Sequence, residues 1–197
     1  MSWRKSAVVA LLVVVASFVS ITESKPRKSL RDYYQLMFAD QQEALTIDEQ
    51  ESQDSYLKIN AKSRSHIELS LFRGEKADLV MQQSVACGPN CLQSMSMVRF
   101  RGEKQQKIVF EDEIPKGAID FHVNKLSKRL PVSSGTGGYQ VWYRLSKVSR
   151  VVDVLIYDSN FTTAESPMGY LAGRMSWSGQ KFRFRGLWPK KATEKVW

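Results

Sequence analysis

The chain carries one pentapeptide twice, and this repeat constrains the fold more than any other feature of the sequence. The copies are Phe72-Arg73-Gly74-Glu75-Lys76 and Phe100-Arg101-Gly102-Glu103-Lys104. Each copy follows an alternating apolar run and precedes a second apolar run, at residues 79–81 and 108–110. A charged turn that contains glycine and joins two such runs is typical of a β-hairpin. The repeat therefore predicts two similar hairpins in succession.

The two cysteines of the chain lie between these hairpins, in Ala86-Cys87-Gly88-Pro89-Asn90-Cys91. The intervening turn brings Cys87 and Cys91 within reach of a disulfide, which the secretory pathway would oxidise. Redox-active pairs normally have two intervening residues at a helix N-terminus, whereas three residues intervene here in a strand-rich stretch. We expect a structural disulfide that contributes about 2 kcal/mol. We expect no metal site, because the disulfide would compete for the cysteines and because His66 and His122 lack metal-site spacing.

The N-terminus has the features of a secretory signal peptide. Arg4 and Lys5 precede the apolar residues 7–19, a run shorter than the roughly 20 residues of a membrane span. Small residues at positions 22 and 24 predict cleavage after Ser24. A retained signal anchor is the alternative, but the basic residues that follow at once would then lie on the non-cytoplasmic side. The sequence thus predicts a secreted, extracellular protein without a transmembrane anchor.

Charge is segregated along the chain. Residues 25–54 contain four basic and seven acidic residues, whereas residues 55–197 contain 23 basic and 12 acidic residues. A strongly basic body outside the cell predicts an acidic extracellular glycan or an acidic protein as the partner, and not nucleic acid. The alternative is that the net charge serves solubility alone.

The apolar pattern changes from a helical period to a period of two. A capping box at Ser29 and Asp32 and the apolar stripe after it predict a helix over residues 30–44. The acidic residues 48–54 show no apolar pattern and are typical of a solvated linker. Beyond residue 58 we predict eight or nine strands, including residues 119–123.

This pattern predicts a mainly β fold, an antiparallel β-sandwich or jelly-roll-like single domain preceded by one short N-terminal helix. A β-barrel is the alternative. The predicted organisation is a signal peptide at residues 1–24, the helix and acidic linker at 25–57, the β-sandwich domain at 58–189 and a mobile basic tail at 190–197. We expect the helix and linker to be separable from the β body.

Enzymatic function is not favoured by the residue supply. The chain has two histidines, and no serine lies in a Gly-x-Ser-x-Gly motif, so hydrolase sites have few candidates. Asp120 and His122 share one face of the predicted strand at 119–123, which keeps a hydrolase that uses His122 as an alternative. The glycine-rich residues 131–138 lack the Lys-Ser/Thr of a phosphate-binding loop. We expect no catalytic residue and no cofactor.

Cations alternate with large apolar residues in several predicted strands, and these cations are the candidate binding residues. Alternation sends the aromatic side chains to the core and the cations to one outer face. If the strands share a sheet, the guanidinium groups suit bidentate contacts to sulfate or carboxylate. The alternative is a solvated face whose charges discourage edge pairing. The candidates are Arg99, Arg101, Arg144, Lys181, Arg183 and Arg185.

Two further motifs concern processing. Asn160-Phe161-Thr162 is a glycosylation sequon, which predicts a glycan on a surface loop of a secreted protein. Lys128-Arg129 is a dibasic pair that a convertase could cut, although we expect it to stay intact. The leading hypothesis is a secreted, non-enzymatic protein that binds an acidic extracellular partner on an arginine-lined sheet face. A carrier of a small apolar ligand in a barrel or sandwich interior is the alternative, suggested by the aromatic content.

Overall fold

Strands dominate the part of the chain that the computed structural model describes, namely residues 27–40, 46–50, 55–61, 65–88, 91–130, 138–147, 150–158, 168–189 and 191–196. The predicted signal peptide, the glycine-rich residues 131–137 and the sequon at Asn160 lie outside the described residues. The helices are α1 (Leu30–Met37), α2 (Phe110–Glu113) and α3 (Lys116–Ser127). The strands are β1 (Thr46–Gln50), β2 (Tyr56–Ala61), β3 (Ser65–Phe72), β4 (Asp78–Cys87), β5 (Cys91–Arg101), β6 (Lys104–Ile108), β7 (Tyr139–Leu145), β8 (Val151–Asp158), β9 (Met168–Trp177), β10 (Phe182–Gly186) and β11 (Glu194–Lys195).

The strands form two antiparallel sheets. The first sheet runs in chain order from β1 to β6, and the second runs β10-β9-β8-β7, with β11 pairing to β9 as well. Apart from β11, consecutive strands within each sheet are neighbours, as hairpin connections favour in antiparallel pairing. Neither sheet closes on itself in the described residues. The prediction of a mainly β, antiparallel sandwich is therefore confirmed, and the alternative barrel is not the fold observed.

Both pentapeptides lie at hairpin turns, as the repeat predicted. The first copy joins β3 to β4, and the second joins β5 to β6. Between the hairpins, β4 and β5 pair along their whole length, and the pairing ends at Cys87 and Cys91. These two cysteines form the expected disulfide.

One apolar face of the first sheet packs against α1. Leu57, Leu69 and Val80 from three neighbouring strands meet Leu30 and Tyr33 of the helix, and all five side chains are buried. The capping box at the helix start is present, and the side chains of Ser29 and Asp32 accept hydrogen bonds from each other's backbone N–H groups. The helix is thus a layer of the fold and not an appendage.

The opposite face of the first sheet packs against the second sheet. Phe72 and Met81 contribute to a shared core with Val154 and Phe182. The rings of Phe72 and Phe182 meet edge to face, with centroids 5.1 Å apart. Because side chains alternate along a strand, the residues next to these core positions point away from the shared core. This packing determines which cations reach the surface.

A side chain of the first sheet forms hydrogen bonds with the backbone at the outer edge of β7. Gln93 of β5 accepts a hydrogen bond from the backbone N–H of Tyr143 at 3.0 Å and donates one to the carbonyl oxygen of the same residue. The side-chain amide thereby replaces a neighbouring strand at this position. Pairing of an exposed edge in this way reduces its tendency to pair with other chains.

Helix α3 occupies the segment that we predicted to be a strand at residues 119–123, so that prediction is wrong. Ile119, Val123 and Leu126 are buried at helical spacing, whereas Phe121 is 63% exposed. Over five residues the apolar positions 119, 121 and 123 fit a period of two. The burial of Leu126 shows that the helical period governs the segment.

The helix also separates the pair considered for a hydrolase site. Asp120 and His122 are two positions apart, which places them on different faces of a helix. Asp120 forms an ion pair with Lys116, and the Nε2 atom of His122 lies 2.7 Å from the carbonyl oxygen of Leu187. The shared strand face on which that alternative depended is therefore absent.

The segments at the two ends of the β body differ from the sequence prediction. Helix α1 ends at Met37 and not near residue 44. Part of the expected linker is β1, which pairs with β2 and packs Ile47 against the α1 core. In the expected mobile tail, β11 pairs with β9 and Val196 is fully buried. Backbone pairing and single buried side chains fix these segments although their sequences are polar. The domain boundaries themselves stay a prediction.

No helix in the described part of the chain is long and apolar enough to cross a membrane.

Candidate anion-binding site

The six candidate cations do not share one sheet. Arg144 lies on β7, Arg183 and Arg185 lie on β10, and Lys181 directly precedes β10, so these four belong to the second sheet. Arg99 and Arg101 lie on β5 of the first sheet. Arg99 donates a hydrogen bond of 2.6 Å to Glu113 and is thereby paired. The structure thus brings together only part of the predicted set.

A row of charged residues crosses the second sheet from β7 to β10. Arg144 stands opposite Asp153, Asp153 opposite Arg174, and Arg174 opposite Arg185. Directly opposed residues project from the same face of an antiparallel sheet. The row therefore lies on one face, which is the face away from the shared core. Arg174 was missed among the sequence candidates.

Asp153 forms hydrogen bonds with both arginines beside it in this row. Its carboxylate accepts hydrogen bonds from Arg144 Nη2 at 2.7 Å and from Arg174 Nε at 2.9 Å. Arg144 also donates to Glu194 at 3.0 Å. Burial alone would lower the pKa of Arg144, but its hydrogen bonds to Asp153 and Glu194 raise the pKa overall. Arg144 is therefore held by two carboxylates in a structural cluster and is a poor candidate for binding a partner.

The second half of the row has an excess of positive charge. Arg174 and Arg185 are directly opposed, and like charges at this spacing destabilise a sheet. Arg183 stands opposite Ser176, two register pairs away from the pair of Arg174 and Arg185 and therefore on the same face. Arg183 and Arg185 are exposed, and neither forms an ion pair within the described part of the chain. We call Arg174, Lys181, Arg183 and Arg185 the basic face.

The β9–β10 hairpin holds the basic face in place. Phe182 and Phe184 alternate with the arginines and pack into the core, so Arg183 and Arg185 point outward. Phe184 lies against Gly173, where a Cβ atom would come within 2.3 Å of its ring. At the turn, Trp177 Nε1 donates a hydrogen bond of 2.8 Å to the carbonyl oxygen of Arg73. These contacts fix the hairpin to the first sheet.

The predicted turn at residues 178–180 does not give the register of Arg174. A turn of those three residues would place Arg174 opposite Phe184, whereas the observed pairing of Phe182 with Trp177 leaves four residues in the turn and places Arg174 opposite Arg185. Comparison with known proteins adds nothing to this assignment. The chain matches no protein-family model, no curated protein and no solved structure. The function must therefore be inferred from the residues of the site itself.

Other chemistry-bearing residues do not converge in the described regions. His66 Nε2 lies 3.3 Å from Glu68, on β3. His122 contacts the rings of Phe184 and Trp188 in the α3 packing. Within the described ranges, no three His, Cys, Asp or Glu side chains form a group that could hold a metal ion. Exposed arginines on a rigid sheet are suited to bind oxyanions, through paired N–H donors that match sulfate and carboxylate oxygens.

Proposed function

We propose that the protein is a secreted, non-enzymatic binding protein that holds an acidic extracellular partner on the basic face. The preferred partner is a sulfated glycan of the glycosaminoglycan type, and an acidic protein is the second candidate. Such partners present many sulfate or carboxylate groups along a chain, which can contact several cations of a sheet at once. No cofactor is needed for this activity.

The opposed pair of Arg174 and Arg185 carries the proposal. Placing two guanidinium groups across one register pair opposes folding, and Arg183 adds a third beside them. Among the residues that the structure describes, only Arg174 of these three arginines has a carboxylate partner, Asp153, which also holds Arg144. An oxyanion bound between the arginines would relieve this repulsion. The repulsion lowers the stability of the unbound fold, and its relief would strengthen the binding of the anion.

The proposed extracellular location is supported by two features. The residues before position 25 have the charge and length pattern of a signal peptide. Cys87 and Cys91 are joined in a disulfide, which is common in secreted proteins and rare in reducing compartments.

Heparin binding by matched variants tests the proposal. We expect Arg183→Ala/Arg185→Ala to lower the affinity for heparin by about tenfold or more, because charge-assisted hydrogen bonds are lost. The slope of log affinity against log salt should also fall by roughly one to two, since fewer counterions are released per complex. Isothermal titration calorimetry at several salt concentrations measures both quantities.

The control variant removes the same charge elsewhere. Lys107 lies on β6 and Lys128 follows α3, and both are exposed. Lys107→Ala/Lys128→Ala should lose less than about threefold in affinity, because these lysines lie off the basic face. Arg183→Lys/Arg185→Lys keeps the charge but removes the planar fork and should weaken binding measurably. Equal losses in both alanine double variants would mean that only net charge matters, and the carrier of a small apolar ligand would become the preferred function.

A further inference from the structure

The two copies of the pentapeptide meet at one end of the first sheet, where they line an open cavity of about 760 Å³. Gly74 to Asp78 form one wall, and Phe100 to Lys104 form another. Residues Arg27 and Lys28, which precede α1, close a third side. Cavities of roughly 300–1,000 Å³ are typical of sites for small molecules. No residue of the basic face lines this cavity.

The arginine of the first copy is fully engaged within the protein. Arg73 Nη1 donates to Asp78 Oδ2 at 2.6 Å, and Arg73 Nη2 donates to the carbonyl oxygen of Lys28 at 2.7 Å. The hydroxyl of Tyr33 donates to the same Asp78 oxygen at 2.8 Å. This network fixes the start of α1 against the β3–β4 turn. It therefore holds Arg27 and Lys28 beside the second copy.

The arginine of the second copy, Arg101, faces a cation and not a carboxylate. The turn of the second copy is shorter, so Arg101 stands directly opposite Lys104, whereas the last register pair of the first hairpin is Phe72 with Leu79. Gly102 permits the tight turn, because its φ of 65° is in the left-handed region. Arg101 and Lys104 are exposed and form no ion pair among the residues described. Like charges are thus opposed at this hairpin as well.

The charges around the cavity leave a positive excess. Of its three carboxylates, Asp78 is paired with Arg73, and Glu103 lies 3.3 Å from Lys28 Nζ. Within the described ranges, Glu75 accepts only a long hydrogen bond of 3.4 Å, from the side chain of Gln180. The cations of the lining that have no ion pair in the described part of the chain are Arg27, Lys76, Arg101 and Lys104.

We propose that this cavity is a second, independent anion site, which binds a small molecule carrying a sulfate or carboxylate group. Arg101 supplies a planar pair of donors for two oxygens of the anion, and Lys104 supplies a point charge from the facing strand. Lys76 and Arg27 flank them from the other walls. The site needs neither the basic face nor a polymeric partner.

Calorimetric titration with a trisulfated heparin-type disaccharide tests the site. The intact protein should bind this probe in a saturable manner at low salt. Lys104→Glu places a carboxylate opposite Arg101 and should lower the affinity for the probe by about tenfold or more. Because the substitution converts a like-charge pair into an opposite-charge pair, the melting temperature should stay the same or rise. A loss of binding therefore cannot be explained by unfolding.

Lys107→Glu is the matched control, since it makes the same charge change on the same strand outside the cavity lining. We expect its affinity for the disaccharide to change less than about threefold. The unsulfated disaccharide, which retains its carboxylate, shows whether sulfate or carboxylate is recognised. Absence of saturable binding to either disaccharide, or equal losses in Lys104→Glu and Lys107→Glu, would overturn the proposal.

The basic-face variant separates this site from the proposed function. Arg183→Ala/Arg185→Ala should bind the disaccharide as the intact protein does, although it binds heparin more weakly. If the disaccharide is lost in that variant and retained in Lys104→Glu, the probe binds on the second sheet and the cavity is not a site.

Discussion

At the scale of single residues, two arginines with the same neighbours in sequence have different electrostatic partners. Arg73 and Arg101 occupy the same place in the two pentapeptides, but Arg73 faces Asp78 and Arg101 faces Lys104. The glycines differ too. A Cβ atom on Gly74 would come within 2.1 Å of the carbonyl oxygen of Ala77, whereas Gly102 is required for its positive φ. The repeat therefore conserves the hairpin and not the role of its arginine.

Tyr33 gives a prediction at the same scale. Burial and its hydrogen bond to Asp78 raise the pKa of the Tyr33 hydroxyl to about 12, from an ordinary value of 10.0. The folded protein thus keeps this proton at a pH at which the unfolded chain has lost it. The stabilising contribution is complete below about pH 10 and is lost as the pH rises toward 12.

We therefore expect the free energy of unfolding to fall between pH 10 and about 12, and to fall less steeply in Tyr33→Phe. Urea unfolding at several pH values measures the slope. Tyr143, whose pKa burial raises to about 12 as well, provides the comparison variant Tyr143→Phe. A slope that neither substitution changes would contradict the assignment of these pKa values.

At the scale of elements, local pattern predicted the hairpins, the disulfide and the capped start of α1, because each depends on residues that are close in sequence. The same pattern failed at α3, since three apolar residues at alternate positions fit a strand and a helix equally over five residues. It also failed at β1 and β11, whose polar sequences are held by backbone pairing with β2 and β9. Backbone pairing does not require an alternating apolar sequence, so the apolar periodicity could not predict these two strands.

Helix α1 yields the prediction for this scale. Leu30 is fully buried against the first sheet, and the helix covers Leu57, Leu69 and Val80. Removing residues 25–54 should expose this apolar face, so the shortened protein should aggregate or lose cooperative unfolding. The milder Leu30→Ala should lower the free energy of unfolding by about 2–5 kcal/mol. Circular dichroism during thermal unfolding measures both.

The shortened protein also decides between two views of the N-terminal segment. The acidic sequence suggested a separable linker, whereas the structure shows a helix and a strand packed on the first sheet. A shortened protein that stays monomeric and unfolds as cooperatively as the full chain would show that the segment is separable after all. As a control, Leu36→Ala alters an exposed residue of the same helix and should change stability by less than about 0.5 kcal/mol.

At the scale of the whole molecule, the site could be predicted only in part. Alternation showed correctly that Arg183 and Arg185 point outward, because the apolar neighbours of each cation fill the core. It could not show which strands share a sheet, since that depends on the packing of segments far apart in sequence. Arg99 and Arg101 therefore proved to be on the first sheet, and Arg144 proved to be neutralised by Asp153 and Glu194.

The proposed function rests on the arrangement of the cations and not on the net charge alone. The buried carboxylate of the second sheet, Asp153, is balanced by Arg144 and Arg174. In the described part of the chain, cations face each other across a register pair at two places, Arg174 with Arg185 and Arg101 with Lys104. We infer that these pairs are kept for binding at some expense of stability.

Substitution of Arg185 tests this central inference most directly. Arg185→Gln removes one member of the opposed pair and should raise the free energy of unfolding by about 0.2–1 kcal/mol. The same variant should bind heparin several-fold more weakly than the intact protein. Arg183→Gln is the control, because Arg183 faces Ser176: it should weaken heparin binding and leave stability nearly unchanged. If Arg185→Gln instead lowers stability, or leaves heparin affinity unchanged, the opposed arginines are not held for binding.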